Sequence, residues 1–379
     1  MEVVTPFLEG MEMLEAAGGE VARLCYQCGT CTALCPWGRV RYFSPRAAMH
    51  ETSLGILEVE DERTWLCVSC NMCVENCPRG VKIVDLWVAG RRLLAEMQAF
   101  PADLKRAIGS LKAEGSPFGP REKRGEWLEK VGLPRFDGTQ EWTLFICCAS
   151  IYDARTERMA TALAELLGAA DVSFGVLTDK EVCCGESARK TGAEDLFASL
   201  AGRNIAAFRE AGVERILTVS PHCYHTFKNE YPELGGEFEV LHYTQLLDRL
   251  LREGRLSPGK EVKARVAYHD PCYLGRHNGV YEEPRRVLAA IPGVELVELP
   301  ENRDKALCCG GGGGRIWMET VKGERFSDWR VEQALAVGAD TLAVACPYCL
   351  MNMVDSVLTE NAEDKLRSVD VAELLCESI

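Results

Sequence analysis

Two runs of cysteine near the N-terminus have the spacing of ligands to cubane iron–sulfur clusters. They consist of Cys25, Cys28, Cys31 and Cys35, followed by Pro36, and of Cys67, Cys70, Cys73 and Cys77, followed by Pro78. Two-residue spacers bring three thiolates to one cluster, and the fourth cysteine reaches the other cluster. The spacing therefore predicts two 4Fe-4S clusters, one bound by Cys25, Cys28, Cys31 and Cys77 and the other by Cys67, Cys70, Cys73 and Cys35. Zinc ligands are grouped as two pairs, so a zinc-stabilised scaffold is a remote alternative.

A second cysteine pattern occurs twice in the rest of the chain. The later copy contains Cys272, Cys308, Cys309, Cys346 and Cys349. The earlier copy contains Cys148 (or its neighbour Cys147), Cys183, Cys184 and Cys223, each 123 to 125 positions before its counterpart, with Thr226 in the fifth position. Four matching offsets indicate a repeated unit.

Adjacent cysteines are poor partners for one tetrahedral ion, but they can reach neighbouring irons of a larger cluster. Gly310 and Gly311 follow the later pair, and glycine allows positive φ and a close approach to a cofactor. In the earlier copy His222 or His225 can replace the missing thiolate, because imidazole also ligates iron. The alternative is that this copy is a degenerate structural one. His269, His277 and Cys376 are interpreted as residues outside the ligand sets.

The elements that position these cysteines follow from periodicity and composition. Residues 81–97 have apolar residues spaced for a buried helix face. Residues 101–141 are assigned as a linker, because 115–138 are dense in Gly, Pro and charge and are interpreted as a linker or as an extended wrap across another surface. From residue 142 strands and helices alternate, which predicts parallel sheets covered by helices. The predicted fold is a multidomain α+β chain, with a helical two-cluster domain (1–100), a linker, and two repeated α/β units (142–258 and 259–379).

Composition limits the class of protein. The 379 residues include 19 cysteines and carry a formal net charge of −14. This charge argues against nucleic-acid binding, because phosphates would be repelled. No run of eighteen apolar residues predicts a membrane span, and no signal peptide is recognisable. We therefore expect a cytoplasmic protein whose cysteines bind metal rather than form disulfides.

The pattern Cys…Cys-Cys-Gly…Cys-x2-Cys resembles the signature of the B-type and D-type catalytic subunits of heterodisulfide reductase and of the iron–sulfur oxidoreductases related to them. The N-terminal region resembles the mostly helical ferredoxins found within oxidoreductase subunits, so the resemblance covers essentially the whole chain. We call the two repeated units the first and second CCG units, after the Cys-Cys-Gly sequence that each contains. The resemblance implies that the five cysteines of the second CCG unit bind a non-cubane cluster at which a disulfide is cleaved. Those cysteines are Cys272, Cys308, Cys309, Cys346 and Cys349. The resemblance also leaves open a further iron–sulfur cluster in the first CCG unit.

These observations predict an iron–sulfur oxidoreductase subunit that moves electrons between the two 4Fe-4S clusters and the C-terminal CCG site. The alternative keeps the clusters but makes the chain a non-catalytic relay of a larger complex, as in electron-transfer-flavoprotein:quinone systems or class II benzoyl-coenzyme A reductase. No flavin or nicotinamide motif is present, because the glycine run 310–314 lacks a strand–G-x-G-x-x-G–helix context. A chain with only one-electron carriers needs a two-electron partner. We therefore expect flavoprotein or other redox subunits as partners.

Overall fold

The N-terminal region is built from short helices that surround the first eight cysteines. The computed structural model describes residues 5–177 and 180–379. The α-helices of this region are Leu8–Ala16, Thr30–Leu34, Pro45–Ser53, Arg63–Leu66, Met72–Glu75 and Ile83–Glu96, with 3-10 turns at Gly19–Leu24 and Pro36–Arg39. The predicted helix at 81–97 is confirmed, and its buried face includes Leu86, Trp87 and Leu94. Within the described residues, no helix has both the length and the apolar character needed to cross a bilayer.

The segment 101–141 is not an irregular linker, and this prediction is wrong for most of its length. It contains the helices Ala102–Glu114 and Glu122–Val131. Leu104 and Leu111 are buried on one face of the first helix, and Trp127 and Leu128 are buried on the second. Both helices end at a glycine with positive φ, which is a common helix C-terminus. The glycines that suggested a linker therefore mark helix ends.

The first α/β unit contains a four-stranded parallel sheet in the order β2-β1-β3-β4. Its strands are β1 (Trp142–Phe145), β2 (Phe174–Gly175), β3 (Arg215–Thr218) and β4 (Glu239–His242). Its helices are Cys148–Tyr152, Glu157–Ala169, Glu186–Lys190, Glu194–Ala211, Pro221–His225 and Tyr243–Arg252, with a π-helix at Thr226–Glu230 and a 3-10 turn at Tyr231–Leu234. Every residue of β1 is buried, as expected for a central parallel strand.

The second unit repeats this topology with the order β6-β5-β7-β8. Its strands are β5 (Ala264–Tyr268), β6 (Val294–Val297), β7 (Thr341–Val344) and β8 (Arg367–Asp370). Its helices are Glu282–Ala289, Phe326–Ala336, Pro347–Thr359 and Val371–Cys376, with 3-10 turns at Arg303–Lys305 and Arg315–Trp317. The predicted repeat of two α/β units with parallel sheets is confirmed.

The strand order explains why cysteines far apart in sequence meet. In each sheet the first strand of the unit pairs with the second and the third, so the strand order reverses beside it. Loops diverge at such a point and leave a crevice at the carboxyl ends of the strands. Cys147 and Cys223 follow β1 and β3, whereas Cys272 and Cys346 follow β5 and β7. Each unit therefore collects its cysteines at one edge of its sheet.

Candidate metal centres

The first predicted cluster site lies close to the surface of the helical region. The four cysteines predicted as its ligands, Cys25, Cys28, Cys31 and Cys77, line one small cavity. Gln27 and Gly29 have positive φ, so the loop curls and its side chains converge. The backbone N–H of Gln27 donates to Cys25 Sγ at 3.4 Å. Cys28 is exposed, so this site reaches solvent on one side.

The second site is more enclosed and lies toward the α/β units. Cys35, Cys67, Cys70 and Cys73 line one cavity. Burial raises the pKa of the Cys67 thiol to about 11, which means that a thiolate here needs a bound cation to compensate its charge. Four converging soft sulfur donors in such a cavity fit an iron–sulfur cluster. In both cavities the fourth cysteine comes from the other sequence run, which is the exchanged arrangement expected from the spacing.

The five cysteines of the second CCG unit are all buried. Cys272 Sγ lies 4.0 Å from Cys308 Sγ, and Cys309 Sγ lies 3.3 Å from Cys349 Sγ. Although burial opposes ionisation, hydrogen bonds from Cys349 and His222 lower the pKa of Cys346 to about 6. The set of five buried, soft sulfur donors fits an iron–sulfur cluster with several thiolate ligands.

In the first CCG unit the structure brings together all five cysteines present, but only one of the two candidate histidines. Cys147, Cys148, Cys183, Cys184 and Cys223 line a cavity together with His222. The Nδ1 atom of His222 lies 3.0 Å from a carboxylate oxygen of Glu186. His225 does not line this cavity, and its Nδ1 accepts a hydrogen bond from Asn229 at 3.0 Å. Thr226, in the position of the missing cysteine, is fully buried.

The glycine run 310–314 packs against another loop of the protein as well as against the cysteine site. Its first member supports the predicted cofactor role, because the N–H of Gly310 donates to Cys308 Sγ at 3.3 Å. A Cβ on Gly311 would lie 3.1 Å from the side-chain nitrogen of Asn352. A Cβ on Gly313 would lie only 2.3 Å from the carbonyl oxygen of Cys67. Part of the run is therefore glycine because the loop that carries the second cysteine run (residues 67–77, the second ferredoxin-type loop) lies directly against it.

Two buried arginines hold the second ferredoxin-type loop against the second CCG unit by hydrogen bonds. They were not identified from the sequence. Arg91 donates to the carbonyl oxygens of Cys67 at 2.6 Å and of Gly313 at 3.1 Å. Arg276 donates to the carbonyl oxygen of Cys70 at 2.6 Å. The neighbouring Cys308 is the largest cause of the strongly raised pKa of the Cys70 thiol. A predicted ligand of the second 4Fe-4S site thus adjoins a predicted ligand of the C-terminal site.

His269, His277 and Cys376 are interpreted from the sequence as lying outside the ligand sets. Of these three side chains, only that of His269 lies beside the cysteines of a predicted site. The Nε2–H of His277 donates to the carbonyl oxygen of Ser69 at 2.8 Å, so this histidine helps to hold the second loop. Cys376 donates to Glu165 at 3.0 Å and lines none of the cysteine cavities. His269 is the exception, because one of its ring nitrogens lies within 4.8 Å of the sulfur atoms of Cys309 and Cys349. The only sequence signal for it is its position three residues before Cys272.

An open cavity of about 180 Å³ leads to the second CCG site. Cys309 and Gly310 lie on its wall, together with the basic side chains of Arg155 and Arg325. Asp355 and Glu324 line it as well, so the cavity is polar and contains both signs of charge. It is large enough to admit the end of a small molecule beside Cys309.

Comparisons with known proteins agree with these sites. A family model described as a 4Fe-4S dicluster domain matches residues 21–81. A model described as a cysteine-rich domain matches twice, at residues 142–228 and 266–354. The three matched ranges contain the cysteine sets described above, and they support iron–sulfur clusters as the cofactors of this chain.

Individual relatives decide the family. The D-type subunit of the dihydromethanophenazine:CoB–CoM heterodisulfide reductase of Methanosarcina barkeri is 30% identical over 353 residues, which cover 90% of this chain and 83% of that protein. The chain belongs to the D-type heterodisulfide reductase family of iron–sulfur oxidoreductases. The present chain is also similar to a probable iron–sulfur-binding oxidoreductase, FadF of Bacillus subtilis. The two are 39% identical over 332 residues, or 85% of the chain. The EtfAB:quinone oxidoreductase of Syntrophomonas wolfei is 37% identical over 345 residues, or 87% of the chain.

The heterodisulfide reductase-like chain spans about half the length of the last two relatives, 47% and 48% respectively. What the family establishes for it is the coarse function, electron transfer by iron–sulfur clusters in an oxidoreductase. The prediction of an iron–sulfur oxidoreductase with a ferredoxin-type region and two CCG units is thereby confirmed.

Proposed function

We propose that the chain conducts electrons from the two 4Fe-4S sites of its helical region to a non-cubane cluster held by Cys272, Cys308, Cys309, Cys346 and Cys349. The observation that carries this proposal is the close packing of the second ferredoxin-type loop on the glycine run that follows Cys308 and Cys309, where a Cβ on Gly313 would lie 2.3 Å from the carbonyl oxygen of Cys67. It places the backbone of a predicted ligand of the second 4Fe-4S site against the loop that carries two predicted ligands of the C-terminal site. When bound, the clusters supply one-electron redox chemistry; the protein holds them in sequence and excludes water between them.

Several side chains keep this contact closed. Arg91 and Arg276 are buried and tie the backbone of the second loop to the second CCG unit. Arg276 also donates to the carbonyl oxygen of Ala306 at 2.6 Å, two residues before Cys308. The positive charge of Arg276, close to Cys70 and Cys308, also stabilises the anionic thiolates that a cluster requires. These arginines position the two sites and compensate part of their charge.

The cavity beside Cys309 supports a reductase role over a pure relay role. A relay needs no opening at its last carrier, whereas a small disulfide or another electron acceptor must reach the terminal site. The relay alternative draws on the relative named EtfAB:quinone oxidoreductase, whose name describes transfer between two partners. In that case the same cysteines would pass electrons to another redox protein that covers the cavity.

The opposite end of the path defines the proposed partner. The first 4Fe-4S site reaches solvent at Cys28, and Tyr26 beside it is 54% exposed. We propose that electrons enter there from a flavoprotein or another redox protein, because the chain itself holds only one-electron carriers. A cytoplasmic location remains part of this proposal, since a reducing compartment keeps the cysteines available to iron.

The whole protein, purified without air, tests this assignment. Cys309→Ala should abolish electron transfer from dithionite to a small disulfide or quinone acceptor while both 4Fe-4S paramagnetic signals persist. Cys184→Ala, at the matching position of the first unit, should leave most of that transfer intact. If Cys184→Ala abolishes transfer and Cys309→Ala does not, the working site lies in the first unit. If both variants retain full transfer with every acceptor, neither CCG site lies on the path.

A further inference from the structure

His269 is a buried histidine that lies against the C-terminal cysteines. It directly follows β5, and its backbone N–H donates to the carbonyl oxygen of Ala343 in β7 at 2.9 Å. Its side chain is fully buried, and its Nε2 atom has no conventional hydrogen-bond partner within the described residues. The sulfur atoms of Cys309 and Cys349 are within 4.8 Å of one of its ring nitrogens. Burial lowers the pKa of His269, and a side-chain hydrogen bond with Cys309 opposes this shift, which distinguishes Cys309 from Cys349. Such a histidine can either ligate iron or donate a hydrogen bond to a sulfur ligand.

Arg330 decides between these two roles. This arginine is also fully buried, and its Nε–H donates to His269 Nδ1 at 3.1 Å. It is fixed from its other side, because Nη1 donates to the carbonyl oxygen of Glu301 at 2.8 Å and to Gln333 at 2.6 Å. A guanidinium has no acceptor atom, so Nδ1 of His269 must be the acceptor in this pair. In the neutral imidazole the proton then resides on Nε2.

A protonated Nε2 has no lone pair for iron. We infer that His269 does not ligate the C-terminal cluster but donates its Nε2–H to the sulfur of Cys309, with Arg330 fixing the tautomer. The inference rests on the proposed cluster at this site and assigns His269 as a positioning residue for it. Side chains that hold a ligand in this way orient it and tune the metal.

The expected consequence concerns the reduction potential. Reduction adds negative charge to a cluster and its thiolates, and a hydrogen bond to sulfur stabilises that added charge. Hydrogen bonds to the sulfurs are among the factors that set cluster potentials. Loss of the His269 donor should therefore shift the midpoint of the C-terminal cluster to lower potential and leave the two 4Fe-4S midpoints unchanged.

Two substitutions separate the two ring nitrogens. His269→Asn places an amide oxygen near the position of Nδ1, which can still accept from Arg330, but nothing reaches Cys309. His269→Gln places an amide N–H near the position of Nε2, which can still donate to Cys309. In redox titrations of the whole protein followed by paramagnetic resonance, we expect the lower midpoint in His269→Asn and a nearly unchanged midpoint in His269→Gln. Equal midpoints in the wild type and in both variants would overturn the inference.

The wild-type protein gives a second measurement that does not depend on the folding of a variant. With ¹⁵N-histidine incorporated, the C-terminal cluster should show only the weak nitrogen coupling of a hydrogen-bonded imidazole. A strong coupling that disappears in His269→Gln would mean that His269 ligates iron, and the inference would be wrong. Absence of any C-terminal cluster signal in the wild type would instead defeat the proposed function, which keeps the two failures distinct.

Discussion

Gly312 lies so close to Val68 that a Cβ on the glycine would be 2.3 Å from the carbonyl oxygen of Val68. The two residues are far apart in sequence, one in the glycine run of the second CCG unit and the other in the second ferredoxin-type loop. Hydrogen bonds from Arg91 and Arg276 hold the same surfaces together. The packing of the second ferredoxin-type loop on the second CCG unit therefore depends on the absence of a side chain at position 312.

Gly312→Ala should disturb this interface. The added methyl group has to displace backbone, and overpacking of this kind costs about 1–3 kcal/mol. We expect a lower unfolding midpoint and slower reoxidation of the 4Fe-4S sites by an acceptor, measured by denaturation and stopped-flow absorbance. Gly259→Ala is the matched control, because a Cβ there meets no atom within 4 Å. Equal behaviour of the two variants would show that the backbones are not in contact.

Cys77→Ala should destroy the cluster whose other ligands are Cys25, Cys28 and Cys31. The four sulfurs line one cavity, and no soft anionic donor replaces the missing thiolate. Iron analysis and paramagnetic resonance should show loss of one 4Fe-4S signal while the more enclosed site is retained. Cys376→Ala is the control and should keep the full iron content. Loss of the signal from the site of Cys67, Cys70 and Cys73 would contradict the exchanged ligand pairing.

Arg285→Met should strongly destabilise the second unit. The Asp270–Arg285 pair is buried, with nitrogen–oxygen distances of 2.7 and 2.9 Å, and Asp270 also accepts from the N–H of Arg303. Removing one partner of a buried ion pair leaves an uncompensated charge and costs about 3–5 kcal/mol. Lys263→Met is the control, because Lys263 forms an exposed pair with Glu261 at 3.7 Å. Chemical denaturation of both variants compares the two pairs, and similar midpoints would refute a structural role for the buried one.

Tyr243→Phe tests the contact between the two α/β units. Tyr243 Oη donates to Asp370 Oδ2 at 2.7 Å, and both residues are buried. Loss of this donor leaves a buried carboxyl oxygen without its partner and costs about 1–3 kcal/mol, so the melting temperature should fall. Tyr42→Phe, at a tyrosine that is 81% exposed, should leave it unchanged. A fall of the same size in both variants would indicate a general effect of losing a phenol hydroxyl.

Cysteine spacing predicted more of this molecule than hydropathy did. The exchanged 4Fe-4S sets and the two CCG units follow from ligand spacing and a constant offset, because these patterns are imposed by local cluster geometry. The helices at 102–114 and 122–131 were missed because their glycines and charges resemble those of a linker. The approach of Gly313 to Cys67 and of His269 to Cys309 depends on the packing of separate units. No local pattern carries that information.

The exposure of Cys28 also bears on how the protein is damaged. The first 4Fe-4S site is open on one side, whereas Cys272, Cys308, Cys309, Cys346 and Cys349 are all buried. A chelator too large for the cavity of about 180 Å³ beside Cys309 should therefore reach the first 4Fe-4S site before the C-terminal one. Treatment with such a chelator should remove the point of electron entry before it harms the terminal site. A partner docked over Cys28 would then protect the cluster from chelation as well as supply its electrons.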